Sequence, residues 1–366
     1  MWSPQQDEAL KAVSRWLKAG DTQVFRLFGY AGTGKTTLAR HFAENVTGSV
    51  LFGAFTGKAA HVLREKGCTG ASTIHSLIYR PAQSDEEDPE GELLFTLRRD
   101  APAADAALII IDECSMVDEE LGRDLLSFGT PVLVLGDPAQ LPPVKGGGFF
   151  TEGAPDHMLT EVHRQAADNP IIALSMRVRE GEIPKAGEYG ASKIISRDEI
   201  DAEQILAADQ ILVGTNRTRH LYNQRIRTLL EFDGSEPWVG ERLVCLRNNR
   251  RKGLLNGGLW KVTARHGRRR GMLRLDLRPD DGIGKGTTRV QILPEFFEGH
   301  GDSVPWQKRR NSDEFDFGYA LTVHKAQGSQ WDKIVLFDES YAFREHRTRW
   351  LYTAITRAAE EITIVR

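Results

Sequence analysis

Between Val24 and Glu44 an apolar run stops at Gly29, and the octet Gly29-Tyr30-Ala31-Gly32-Thr33-Gly34-Lys35-Thr36 leads into a stretch of helical composition. The pattern G-x-x-x-x-G-K-[ST], set between a strand and a helix, is suited to one kind of chemistry. Its glycines let successive backbone N–H groups curl around a β-phosphate, and the helix that follows turns its positive end toward the anion. Lys35 would reach the β- and γ-phosphates, and the Thr36 hydroxyl would bind Mg²⁺. Ile109-Ile110-Ile111-Asp112-Glu113 supplies the complement. A hydrophobic strand delivers Asp112 to the magnesium, and Glu113 beside it can polarise an attacking water. Adjacent carboxylates after a strand can also form a helix N-cap pair, since Ser115 and Asp118 to Glu120 follow. The phosphate loop upstream favours the catalytic reading. Together the two motifs predict a nucleoside-triphosphate hydrolase using Mg²⁺.

Five further strings follow in order. They are Asp112-Glu113-Cys114-Ser115-Met116, Gly136-Asp137-Pro138-Ala139-Gln140-Leu141-Pro142-Pro143-Val144, Leu159-Thr160-Glu161-Val162-His163-Arg164-Gln165, the stretch from Gly318 to Ser329, and Leu351-Tyr352-Thr353-Ala354-Ile355-Thr356-Arg357-Ala358. In this order they resemble the motif series of superfamily 1B DNA helicases, the RecD-like and Dda-like group. The resemblance runs from Gln6 to Arg357. It implies an ATP-dependent DNA helicase that moves 5′ to 3′ on single-stranded DNA and unwinds duplex, the polarity coming from the resemblance alone. Gln140 would sense the γ-phosphate. Arg164 and Arg357 would act as fingers across a cleft, so that hydrolysis waits for domain closure. Either arginine alone would also suit a surface ion pair. Gln6 matches the glutamine that reads adenine, with Gln5 its neighbouring competitor. The implied nucleotide set is Gln6, Gly29, Ala31, Gly32, Thr33, Gly34, Lys35, Thr36, Thr37, Gln327 and Gly328, with Thr36 and Asp112 at the metal.

The nucleic-acid track is expected along Phe55, Thr56 and Lys58, then Thr73 and His75, then His324 and Lys325. Small hydroxyls and a lysine suit phosphates, and aromatic or imidazole rings stack on bases without reading sequence. Phe55 would equally serve as core and His75 as a structural histidine. In relatives a small hairpin splits the duplex. Residues 77–106, with their acidic block Asp85-Glu86-Glu87-Asp88, occupy its position, and Phe95 is the wedge candidate.

The elements that must place these residues read as α/β. Short branched apolar runs at Val24 to Phe28, Val50 to Phe55, Leu108 to Ile111 and Val132 to Leu135 suit a parallel sheet covered on both faces, with ligands at its carboxyl ends. The expected architecture is two RecA-like domains in tandem. The first spans 1–76 and 107–184, with the hairpin insert 77–106. The second spans 185–235 and 312–366, with a small β-barrel-like (SH3-like) insert at 236–311. Net charge is −3, which argues against a protein that coats nucleic acid by bulk charge. The basic run between Arg242 and Arg278 reads either as a phosphate-binding stretch or as a solvated face of a small β domain. The three cysteines, Cys68, Cys114 and Cys245, form no metal-ligand spacing. The expected setting is a monomer without a membrane segment in the cytoplasm of a bacterial or phage-infected cell. Its expected partners are single-stranded DNA, single-/double-strand junctions, and single-strand-binding or replication and recombination proteins. The rival readings are an RNA helicase of the same superfamily and an ATP-gated single-strand binder that leaves duplex intact. A small-molecule kinase would share the phosphate loop but would not need Gln140, Arg164 and Arg357.

Overall fold

Ser3 starts helix α1 (Pro4–Ala19) with a reciprocal cap: the Gln6 N–H donates to Ser3 Oγ and the Ser3 N–H donates to Gln6 Oε1. Such a box satisfies donors that the helix cannot pair internally, and Pro4 in the first turn has no N–H to leave unpaired. The computed structural model describes residues 2–81, 95–142, 148–162, 169–249, 252–280 and 286–366. It divides into two compact units. The first takes the described residues of Met1–Gln83, Phe95–Pro184 and Glu345–Thr356; the second takes those of Lys185–Arg344 and Arg357–Arg366.

In the first unit, strands β1 (Val24–Gly29), β2 (Val50–Ala54) and β3 (Ser72–Thr73) are followed by a two-stranded antiparallel ladder of β4 (Tyr79–Pro81) and β5 (Phe95–Leu97). Then come β6 (Leu108–Asp112), β7 (Val132–Gly136) and β8 (His157–Leu159). Six of these form a parallel sheet in the order β3-β2-β6-β7-β1-β8. The two-residue side-chain period sorts the strands between two cores. Leu27, Ile110, Leu133 and Leu135 point into one core, which is closed by α1, α2 (Lys35–Ala43) and α3 (Gly57–Glu65). Phe28, Ile109, Ile111, Val132 and Val134 point into the other, closed by α4 (Ile74–Ile78) and α5 (Glu119–Leu126). Burial on both faces explains why these runs are apolar without alternating, and each buried aliphatic contributes about 1.5–3 kcal/mol. Helix α6 (Pro170–Arg179) completes this part of the chain.

The second unit repeats the scheme. It contains β9 (Gly187–Tyr189), β10 (Ser192–Ile195), α7 (Ala202–Ala207), β11 (Gln210–Val213) and α8 (Asn216–Leu229). An antiparallel sheet in the order β15-β14-β13-β12-β16 follows, built from β12 (Arg242–Cys245), β13 (Leu259–Arg269), β14 (Met272–Pro279), β15 (Thr288–Ile292) and β16 (Phe315–Phe317). Strands β17 (Ala320–Thr322), β18 (Trp331–Phe337) and β19 (Ala358–Val365) join β9, β10 and β11 in the order β17-β11-β18-β19-β10-β9, parallel except for β9. Between β18 and β19 lies helix α9 (Arg347–Ile355), which packs with α6 in the first unit. Among the described residues no helix is long and apolar enough to cross a membrane.

Candidate nucleotide site and nucleic-acid interface

The phosphate loop joins β1 to α2. Gly34, in the left-handed region at φ +80°, precedes the helix and gives it no side-chain cap, so the first N–H groups of α2 face the loop. A side chain at that φ would be strained. Lys35 Nζ donates to the carbonyls of Gly29 at 2.6 Å and Tyr30 at 2.9 Å, which folds its charge over the loop. The Thr36 hydroxyl donates to Asp112 Oδ2 at 3.0 Å, and the Glu113 N–H donates to Asp112 Oδ1 at 2.9 Å. These are hard oxygen donors side by side. Among the described residues no cluster of three or more His, Cys, Asp or Glu could hold a metal. Mg²⁺ takes one or two protein oxygens and completes its shell with phosphates and water, a demand that a hydroxyl beside a carboxylate suits. Thr36 and Asp112 would hold it.

Glu113 sits at φ +54°, ψ +44°, a left-handed conformation uncommon outside glycine. Such strain gathers at functional sites because the surrounding fold enforces it. Cys114 lies next to it in the second core. Burial, then the Asp112 and Glu113 carboxylates, push its thiol far above the usual range, so it stays neutral.

Gln6 faces the loop directly: its Nε2 donates to the Thr33 carbonyl at 3.1 Å. Gln5 turns away to Thr160, donating to its hydroxyl and accepting the N–H groups of Thr160 and Glu161. Ala31 and Gly32 are half-buried in the loop, while Thr37 is exposed. Gln140 is 8% exposed, and its Oε1 is buried with no hydrogen-bond partner among the described residues. Arg164 lies outside the described residues, as does the side chain of Phe95. Two residues at the site were not singled out from sequence. The Arg179 guanidinium lies 3.7 Å from the centroid of the Tyr30 ring, and the Tyr352 hydroxyl binds the Ala31 N–H.

The proposed track residues of this unit cluster at the ends of β2 and β3. Thr56 caps α3 by accepting the Ala59 N–H, and Lys58 is buried in the first turn of that helix. Thr73 caps α4 by accepting the Ser76 N–H. Phe55 and His75 meet edge to face at 6.4 Å, and His75 continues to Tyr79 at 5.5 Å. Both are half-buried, combining the core and surface readings. In the second unit, His324 packs on Phe343 at 5.6 Å and the Lys325 N–H donates to Thr322 Oγ1. Gln327 is buried, Gly328 adopts φ +73°, and the buried Arg357 donates through Nη1 to the Ser329 carbonyl at 3.3 Å.

The AAA domain family (AAA_30) matches residues 1–199, more than half of the chain, and the UvrD-like helicase C-terminal domain matches residues 317–365. The chain belongs to superfamily 1B of the helicases. Within that superfamily it falls in the RecD-like and Dda-like group. It is 29% identical over 363 residues to the ATP-dependent RecD2 DNA helicase of Deinococcus radiodurans, covering 91% of this chain and 46% of that protein. It is 35% identical over 169 residues to the ATP-dependent DNA helicase Dda of Enterobacteria phage T4, covering 42% of this chain and 37% of that protein. The matched stretch thus spans less than half of either relative. In fold, this superfamily 1B chain resembles Bacteroides Pif1 bound to single-stranded DNA, with a TM-score of 0.61 and 20% identity over 99% of this chain and 92% of that one. That likeness identifies the architecture as tandem RecA-like domains with parallel sheets.

Proposed function

We propose that the chain is an ATP-dependent DNA helicase that moves 5′ to 3′ on single-stranded DNA and separates duplex. The observation that carries the chemistry is the Thr36–Asp112 contact at 3.0 Å beneath a loop whose lysine already lies on it. Lys35 binds and orients the β- and γ-phosphates. Glu113, held in its strained conformation next to Asp112, takes the proton of the attacking water. Mg²⁺, when bound, neutralises developing phosphate charge. Gln140 orients the water and reports the γ-phosphate, and Arg164 and Arg357 stabilise charge on the transferring phosphoryl group. Gln6 reads adenine from its place on Thr33, with Thr37, Gln327 and Gly328 completing the nucleotide set.

The names of the RecD2 and Dda relatives support DNA as the track. Phe55, Thr56, Lys58, Thr73, His75, His324 and Lys325 line it, and the 77–106 insert with Phe95 forms the wedge. Polarity follows the motif series. Steady-state ATP hydrolysis with and without an unstructured single strand tests the coupling. The expected result is stimulation by about tenfold or more, from closure driven by the bound strand. Hydrolysis indifferent to single strands would sink the motor reading.

A further inference from the structure

Two adjacent side chains of α9 close on the turn that carries Gln140. At the start of the turn, the Tyr352 hydroxyl donates to Asp137 Oδ2 at 2.6 Å. At its end, Thr353 Oγ1 accepts the Leu141 N–H at 2.9 Å while donating its own proton to the Arg349 carbonyl at 2.7 Å. Asp137 organises the turn between them. Its Oδ1 accepts the Ala139 N–H at 2.9 Å, and its carbonyl accepts the Gln140 N–H at 3.1 Å. The same Tyr352 oxygen also accepts the N–H of Ala31, inside the phosphate loop, at 3.0 Å. One phenol thus joins the loop that binds nucleotide to the turn that presents Gln140.

Burial makes these bonds firm. Tyr352 is 1% exposed and Thr353 0%, so water does not compete for either hydroxyl. Hydrogen bonds to a charged carboxylate in such surroundings are stronger than neutral ones. The orphaned Gln140 Oε1 gives the arrangement a purpose. A buried amide oxygen without a partner among the described residues is costly, and such an oxygen is suited to bind substrate or an ordered water. It sits between the two clamped ends.

We propose that Tyr352 and Thr353 are positioning residues that hold the Gln140 amide in register with the phosphate loop, so that the state of the loop is passed to Gln140. The proposal rests on the ATP-hydrolysing reading of the same site. Neither residue touches the reacting atoms; each acts through the Asp137–Leu141 turn.

The test uses the full chain with Tyr352→Phe, Thr353→Val, Thr353→Ser and Gln140→Ala, alone and combined. Tyr352→Phe and Thr353→Val are expected to lower kcat for ATP by about 10- to 100-fold with KM changed less than about threefold. Thr353→Ser, which keeps the hydroxyl, is expected to match the wild type. Amide hydrogen exchange is expected to speed up at Ala31 in Tyr352→Phe and at Leu141 in Thr353→Val, with nucleotide absent. Adding either substitution to Gln140→Ala should cost less than about twofold more, because residues acting through one group are not additive. Losses that multiply in the double variants, or single variants with wild-type kcat, overturn the proposal. If Tyr352→Phe does not fold, the near-isosteric Thr353→Val carries the same prediction at the other end of the turn. A wild-type chain with no ATP turnover would instead refute the hydrolase reading, a different result from additivity.

Discussion

Each unit has a parallel strand that runs into a helix through a glycine, and the two turns are finished differently. In the first unit the β1–α2 turn is a glycine-rich loop, and Gly34 offers α2 no side-chain cap. In the second, the β11–α8 turn is closed from within. Glu339 Oε2 accepts the Gly214 N–H at 2.7 Å and the Thr215 N–H at 3.2 Å, its Oε1 accepts the Thr218 hydroxyl at 2.6 Å, and Thr215 Oγ1 accepts the Thr218 N–H. A Cβ on Gly214 would come within 2.7 Å of Glu339 Cβ, so the glycine is there to admit the carboxylate. A helix N-terminus attracts an anion. One unit meets that demand with its own glutamate. The other has a loop shaped for a phosphate.

The largest effect expected from this contrast is at Lys35. Lys35→Ala should lower kcat for ATP by roughly 10³-fold or more, since it removes the ammonium that lies on the Gly29 and Tyr30 carbonyls of the loop. Turnover above a tenth of wild type would remove the phosphate-loop assignment. Next comes Glu113→Gln, which should cut kcat by about 10²- to 10⁴-fold while ATP still binds. Hydrolysis at the wild-type rate would mean that another group takes the proton.

Glu339→Gln probes the other side of the comparison. It should leave nucleotide affinity unchanged and lower stability by about 1–3 kcal/mol, read as a fall in Tm. A loss of nucleotide binding with Tm intact would mean that the second turn is not structural. The smallest effect lies in the antiparallel sheet. The Arg289 guanidinium, then His266, hold the Asp276 carboxyl well below the usual carboxylate range. A depressed carboxylate adds stability above its unfolded value and loses that contribution as pH falls through its folded one. Stability should therefore drop below about pH 4, and Asp276→Asn should flatten that limb. The site is partly exposed, so solvent screening keeps the effect small. An unchanged acid limb in the variant would place the sensitivity elsewhere.

How much of this was legible in the sequence depends on how local each feature is. The phosphate loop, the Asp112–Glu113 pair and the strands β1, β2, β6 and β7 are contiguous runs, and local runs declare their own geometry. The clamp on Gln140 is not local. Tyr352 and Asp137 are brought together only by folding, and on sequence the string containing Tyr352 points to Arg357. The basic stretch shows the same limit. Within its own window it is opposed by almost nothing, yet Arg265 and Arg268 pair with Glu236, Arg242 with Asp280, Arg247 with Glu314 and Lys252 with Asp313. All four of those carboxylates lie outside the window, so much of the run is ion-paired structure. The resemblance favours Gln6 over its neighbour Gln5, and the register of α1 turns Gln6 to Thr33 and Gln5 to Thr160.

The most direct measurement is strand separation with ATP and Mg²⁺ on duplexes bearing a 5′ tail, a 3′ tail or none, with Lys35→Ala as control. Separation of the 5′-tailed duplex alone is expected, and none by the variant. Single-strand-stimulated hydrolysis that leaves all three duplexes intact would contradict the helicase reading and leave an ATP-gated single-strand binder.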